Sequence, residues 1–181
     1  MRLSKREVKD FNEIVDIISH CNILTLGLYD TEMYLVPVSY GYEVIDENII
    51  LYIHGAKVGW KYDCLKQEKA ISVSLSCLND YVKKDYGFTA NYESVVAKAK
   101  VKELSEMDCI YGLNKIMEHC GFSESVDSCT TLPYTSVFSL TLYDVNAKKR
   151  DWWYNVETVK RRSWKCLMKF MKNVVCLVRI E

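Results

Sequence analysis

Tyr52-Ile53-His54-Gly55-Ala56-Lys57-Val58-Gly59-Trp60-Lys61 decides how this chain is read. An apolar run, Ile49-Ile50-Leu51-Tyr52-Ile53, stops at a histidine, and two glycines and two lysines lead into Trp60-Lys61-Tyr62-Asp63-Cys64-Leu65, which has the look of a helix start. A strand that turns into a helix through such a loop presents backbone N–H groups and positive charge together, the combination that holds a phosphate. Taken alone, the segment reads equally as a surface turn whose lysines keep it wet.

Working outward, the surroundings are those of a mainly β protein. Before the loop, Ile23–Tyr29, Met33–Val44 and Asn48–His54 read as three extended segments, joined by turns at Asp30-Thr31-Glu32 and Asp46-Glu47-Asn48. Pro37 marks the second of them as an interrupted ladder or an edge. After a short helix from Gly59 to about Gln67, Ala70–Leu75 alternates as a half-buried strand, residues 78–91 read as a polar, irregular loop, and Ser94–Val101 forms another strand. Helices flank this set. Ser4-x-x-Glu7 has the form of a capping box ahead of Val8, Phe11, Ile14, Val15 and Ile18, and predicts a helix to about Cys21. Met107, Ile110, Leu113, Met117 and Cys120 predict a second amphipathic helix, stopped at Gly121, and Thr135–Val145 is the last strand. Hairpin-length connections without regular strand–helix alternation predict an antiparallel barrel carrying helices on its ends.

Composition narrows the function. The 181 residues suffice for one domain with a sizeable core, and 24 Lys+Arg against 24 Asp+Glu leave no net field for nucleic acid. No apolar run reaches membrane-spanning length, and the segment Met1-Arg2-Leu3-Ser4-Lys5-Arg6-Glu7 has no signal-peptide core, so the expected compartment is the cytoplasm. The eight cysteines contain no C-x-x-C pair and several fall on apolar stripes, which predicts reduced core thiols and no metal site. His20 and His119 read as structural. Residues 151–181 differ from the rest: Trp164, Leu167, Met168, Met171, Val175 and Val178 recur at helical spacing among Lys160, Arg161, Arg162, Lys165, Lys169 and Lys172. The chain therefore divides into a body, 1–150, and a basic amphipathic tail, 151–181. The tail is expected to dock on protein rather than on an anionic membrane, as most amphipathic helices of soluble chains do.

Four stretches, taken with their order and spacing, resemble a known family. They are Ile17-Ile18-Ser19-His20-Cys21, the strand Leu35-Val36-Pro37-Val38-Ser39-Tyr40-Gly41-Tyr42-Glu43, the loop His54-Gly55-Ala56-Lys57-x-Gly59-x-Lys61, and Tyr92-Glu93-Ser94-Val95-Val96. Over residues 1–150 the chain is similar to the flavin-binding split β-barrel proteins related to pyridoxamine 5′-phosphate oxidase, most closely to the branch named for 5-nitroimidazole resistance. That resemblance implies a homodimer with FMN in the clefts between subunits. It implies that Val38 and Ser39 lie along the isoalloxazine, that His54, Gly55, Ala56, Lys57, Gly59 and Lys61 form the phosphate end, and that Ser94 reaches the ribityl or ring region. Trp60 stands where relatives often carry a second basic residue, and Gly55 where a hydroxyl residue is common. The implied activity is an FMN-dependent oxidoreductase passing electrons to a small acceptor such as a nitroaromatic, with His54 as the candidate proton donor. Two other readings stand beside it: a flavin-binding redox sensor or store without turnover, and a haem-binding relative with His54 or His119 as axial ligand.

Overall fold

Strands dominate the chain, and every pairing between them is antiparallel. The computed structural model describes residues 4–125 and 131–150. The elements are β1 (Glu7–Val8), α1 (Phe11–His20), β2 (Leu24–Tyr29), β3 (Met33–Val38), β4 (Gly41–Ile45), β5 (Asn48–Ala56), α2 (Trp60–Leu65), β6 (Ile71–Lys84), β7 (Gly87–Glu103), α3 (Glu106–His119) and β8 (Thr135–Arg150). The sheet runs β3-β2-β6-β7-β8-β5-β4, with β1 also paired to β8.

That order makes a barrel by necessity. β3 and β4 are the two ends of the path, yet only Ser39 and Tyr40 separate them in sequence. Three Cα–Cα steps span at most ~11 Å. The sheet must therefore curl until its two free edges nearly meet, which is a split barrel. The expected single strand Met33–Val44 is thus two strands on opposite edges. Tyr40 pins the crossover: it is wholly buried, and its hydroxyl lies 2.6 Å from the Ile18 carbonyl and 2.7 Å from that of Cys21. Pro37 pairs with Thr25 on the edge strand, the position its missing N–H tolerates.

Inward-facing residues of five strands fill the barrel, among them Leu24, Leu26, Leu51, Ile53, Leu75, Val95 and Leu140. α1 inserts Ile14, Ile17 and Ile18, and α2 inserts Cys64 and Leu65. Each such aliphatic side chain contributes about 1.5–3 kcal/mol by leaving water. α3 does not close a barrel end. It lies on the outer wall against β4, β5 and β8, covering Tyr52 and Val137. There it comes so near β4 that a Cβ on Gly41 would sit 2.2–2.4 Å from backbone atoms of Lys115 and Ile116. The helix ends as expected: Gly121 has φ +87°, its N–H donates to the Glu118 carbonyl at 3.1 Å, and that of Phe122 donates to Met117 at 3.0 Å.

Two further expectations need correction. The first helix starts at Phe11, not after Ser4; Asp10 is its cap, accepting from the Glu13 N–H at 2.9 Å. Asp10-x-x-Glu13 repeats the spacing of Ser4-x-x-Glu7, and Glu7 and Val8 are instead held extended against Lys148 and Ala147. Residues 78–91 are not a loop but the long arm of the β6–β7 hairpin, paired from Asp80↔Asn91 to Lys84↔Gly87. A register shift between Leu78 and Asp80 breaks the alternation by which a strand is recognised. The tail expected over 151–181 lies outside the described residues.

Candidate functional site

β5 delivers the loop. His54, Gly55 and Ala56 pair with Val137, Ser136 and Thr135, and the Lys57 N–H adds a final bond to the Tyr134 carbonyl at 3.0 Å. The chain then turns through Gly59, whose φ of +93° is a conformation that residues with a Cβ rarely adopt. α2 begins immediately but is six residues long, so its dipole is small and the positive character of the turn comes from lysine side chains.

Lys61 folds back over Gly55. Its Nζ donates to the His54 carbonyl at 3.2 Å and lies 2.5 Å from where a Gly55 Cβ would be, so the missing side chain makes room for the ammonium group. Burial lowers the Lys61 pKa from its ordinary value. The His54 pKa is lowered too, first by loss of water around the ring and then by the Lys61 charge, so at neutral pH the imidazole is uncharged. The Lys57 side chain is exposed. Among the described residues neither Lys57 nor Lys61 forms an ion pair. Trp60 stacks on Tyr34 of β3, with ring centroids 5.1 Å apart and planes 7° apart, and so ties the turn to the edge strand.

Val38, Ser39 and Ser94 lie elsewhere. Val38, Leu24, Leu75, Val95 and Ala147 form one row across β3, β2, β6, β7 and β8. Val38 is half-buried among core side chains, Ser39 is exposed at the crossover, and Ser94 stands between Ser76 and Lys148. On β8, the stretch from Val137, opposite His54, to Lys148, opposite Ser94, is roughly 30–35 Å of extended chain. One chain therefore brings His54 through Lys61 together and sets Ser94 at the other end of β8, with Val38 and Ser39 between them: Gly41, three residues after Val38, pairs with Tyr52, two residues before His54.

The densest polar cluster belongs to that second end. Glu93 points inward in series with Val95, Ala97 and Ala99, and its carboxylate takes Lys149 Nζ at 3.1 Å and His20 Nδ1 at 3.4 Å. Burial pushes the Glu93 pKa up, but Lys149 and then His20 outweigh it and hold the carboxyl below its ordinary value. Sequence reasoning quoted Glu93 without giving it a role; an acidic residue at an inward position of an otherwise apolar period-two series was the available signal. His119 is engaged structurally: Nε2 lies 2.9 Å from the Cys21 carbonyl and the ring packs on Tyr40 at 4.5 Å. A cleft of about 230 Å³ under α3 is lined by Tyr52, Lys102, Asp108, Tyr111, Ser139 and Thr141, and one of about 340 Å³ by Tyr42, Glu43, Lys115, Glu118 and His119. Neither is lined by the nine residues from Val38 to Ser94 named above.

No curated protein matches the chain in sequence. Solved structures do share its fold. A protein assigned to 5-nitroimidazole antibiotic resistance in Bacteroides thetaiotaomicron superposes with a TM-score of 0.68 at 23% identity, covering 78% of this chain and 85% of its own. A flavocytochrome from Azotobacter vinelandii gives 0.70 at 17% identity, covering 87% of this chain and 76% of its own. A FAD- and haem-binding protein from Mycobacterium smegmatis gives 0.70 at 16%, covering 83% and 76%. The sequence pattern of the pyridoxamine 5′-phosphate oxidase family matches residues 10–149, a span that takes in α1, the curled sheet, the lysine-bearing turn and the Glu93–Ser94 pair. The chain belongs to the pyridoxamine 5′-phosphate oxidase family.

Proposed function

We propose that two copies of this chain bind FMN at their interface and use it as an oxidoreductase whose electron acceptor is a small nitroaromatic of the 5-nitroimidazole kind. The observation that carries the proposal is the split of the candidate residues. An anion-ready turn whose two lysines form no ion pair among the described residues sits at one end of β8, and Ser94 sits roughly 30–35 Å away along that strand. A second copy running the other way would bring one chain's turn to its partner's Ser94.

The donor set fits the group. Lys57 and Lys61 supply two ammonium groups for a phosphate, each contact worth roughly 1.5–3 kcal/mol. Gly59 permits the turn between them. Bound flavin would supply the two-electron chemistry. The chain's own work is to hold the phosphate, to lay Val38 along the ring, and to place His54 where it can give or hold a proton. Because His54 is neutral at rest, its first contribution is an N–H hydrogen bond, and a phosphate beside it would draw a proton onto the ring.

FMN titrated into the purified full chain tests the reading, followed by absorption and flavin fluorescence together with mass in solution. One FMN per chain and a dimeric mass are expected; a protein that FMN cannot colour removes the cofactor assignment. A Soret band in place of flavin bands would favour the haem reading, in keeping with the haem-binding neighbours. Anaerobic reoxidation of the reduced, loaded protein by a nitroimidazole then separates enzyme from store. A rate no faster than free FMN leaves a flavin-binding sensor or store.

A further inference from the structure

The cleft under α3 holds charges for which the flavin reading has no use. Its floor is the outer face of the sheet. The register sets Tyr52, Ser139 and Lys102 in one row across β5, β8 and β7, and Ile50 and Thr141 in the next. Its wall is α3, where Asp108 and Tyr111, three positions apart, share one side of the helix. The Tyr52 and Tyr111 hydroxyls both donate to Glu43, one to each carboxylate oxygen, and their rings meet edge to face with centroids 5.9 Å apart. Floor and wall are thereby tied to each other before anything enters, so little ordering remains for a ligand to impose.

The polar groups of this cleft fall into two sets. Lys102, Ser139 and Thr141 belong to the sheet, and among the described residues their side chains have no hydrogen bond or ion pair. Asp108 belongs to the helix, and among the described residues its carboxylate accepts only from the Ser105 hydroxyl, at 3.3 Å. Lys102 and Asp108 thus line one cleft with opposite charge and form no ion pair with each other. An ammonium group with two hydroxyls beside it suits a carboxylate, and a carboxylate on the facing wall suits an ammonium. Ile50, Leu104 and the Tyr52 ring give the cleft its apolar surface. Its volume of about 230 Å³ falls below the ~300–1,000 Å³ of sites for drug-sized ligands, which sets the size of the occupant.

We infer that this cleft binds a small amino-acid zwitterion with an apolar side chain, its carboxylate toward Lys102, Ser139 and Thr141 and its ammonium toward Asp108. A molecule with both charges answers both walls at once, whereas a singly charged one leaves either Lys102 or Asp108 to water. None of the nine residues from Val38 to Ser94 lines the cleft, so the inference stands apart from the flavin reading.

Titration of the full chain with L-leucine, L-methionine and L-phenylalanine tests it, by calorimetry and by the backbone amide resonances. Saturable binding of at least one of the three is expected, with the resonances of Tyr52, Ser139 and Thr141 among those that shift. The deaminated and decarboxylated analogues of the best binder should each bind weaker by about tenfold or more, the loss of one charge-assisted contact. Lys102→Met and Asp108→Asn should each weaken the parent amino acid by a similar factor, while the melting temperature and the FMN titration stay as in the parent chain. The inference is overturned if none of the three amino acids binds, or if the resonances that shift lie away from the cleft. It is equally overturned if either singly charged analogue binds as well as the zwitterion, or if either variant keeps the parent affinity.

Discussion

The two ends of the sheet treat their charges in opposite ways. At the β5–α2 turn, Lys61 rests on a carbonyl at 3.2 Å and, among the described residues, neither it nor Lys57 has a carboxylate. At the α1 end, Lys149 and His20 converge on Glu93, whose side chain is 5% exposed. A buried carboxylate requires its partners, because removing water from it costs several kcal/mol unless another charge compensates. Lysines left without partners at a positive-φ glycine carry no such debt and remain available to an anion from outside. Paired charge thus marks architecture here, and unpaired charge marks the proposed site.

The largest expected effect tests the second half of that contrast. Lys57→Ala with Lys61→Ala should weaken FMN binding by about 3–6 kcal/mol, a factor of roughly 10²–10⁴, from the loss of two charge-assisted contacts. The melting temperature should stay nearly unchanged, and unaltered affinity in an FMN titration would break the comparison. Next in size, Glu93→Gln should cost about 2–3 kcal/mol in urea unfolding, because Lys149 and His20 lose the nearer of their charge partners and keep only Glu13 and Asp16 at 3.8 and 3.7 Å. Affinity lost with stability intact would move Glu93 into the binding machinery. Because the Glu93 carboxyl is held below its ordinary value of 4.5, its stabilisation is present above that pH and is lost as pH falls through the folded value. Acid unfolding of Glu93→Gln should therefore show a flatter dependence than the parent chain.

The smallest effect concerns His54. Its ring should titrate below the ordinary 6.5 in the free protein and move upward when FMN or inorganic phosphate binds, as followed by the imidazole proton resonances. With the folded value depressed, its contribution to stability is complete above 6.5 and diminishes as pH falls through the folded value. An anion at the turn should reduce that loss. A His54 resonance indifferent to phosphate would place the anion elsewhere.

Much of this architecture was legible from residue pattern. The strand period of Leu24, Leu26, Leu28 and of Val95, Ala97, Ala99 is plain, and so is the stop at Gly121. Segments misread from the pattern were those where two rules compete. Ser4-x-x-Glu7 and Asp10-x-x-Glu13 offer the same cap, and a distant strand, β8, decides between them by taking Glu7 and Val8. The 78–91 arm is polar because most of it gains its order from the facing backbone rather than from a core, and its bulge reverses the alternation midway. Ser39-Tyr40 carries no turn signature, since the crossover is held by a buried phenol reaching two helix-end carbonyls. At the candidate site the loop residues were legible because glycine and lysine are informative locally. Glu93 was not assigned a role because its partners, Lys149 and His20, are far away in sequence.

β8 pairs with β1, β5 and β7, so three separate parts of the chain wait on Thr135–Arg150 for their hydrogen bonds. During synthesis these residues leave the ribosome after more than a hundred others. Until they do, β5 keeps one bare edge, β7 lacks a neighbour on that side, and Glu93 has no Lys149. The nascent body must stay unclosed for most of its translation, with apolar strands exposed to pairing with other chains. Closure then comes late and in one step, from contacts of long sequence separation, the kind that make folding slow.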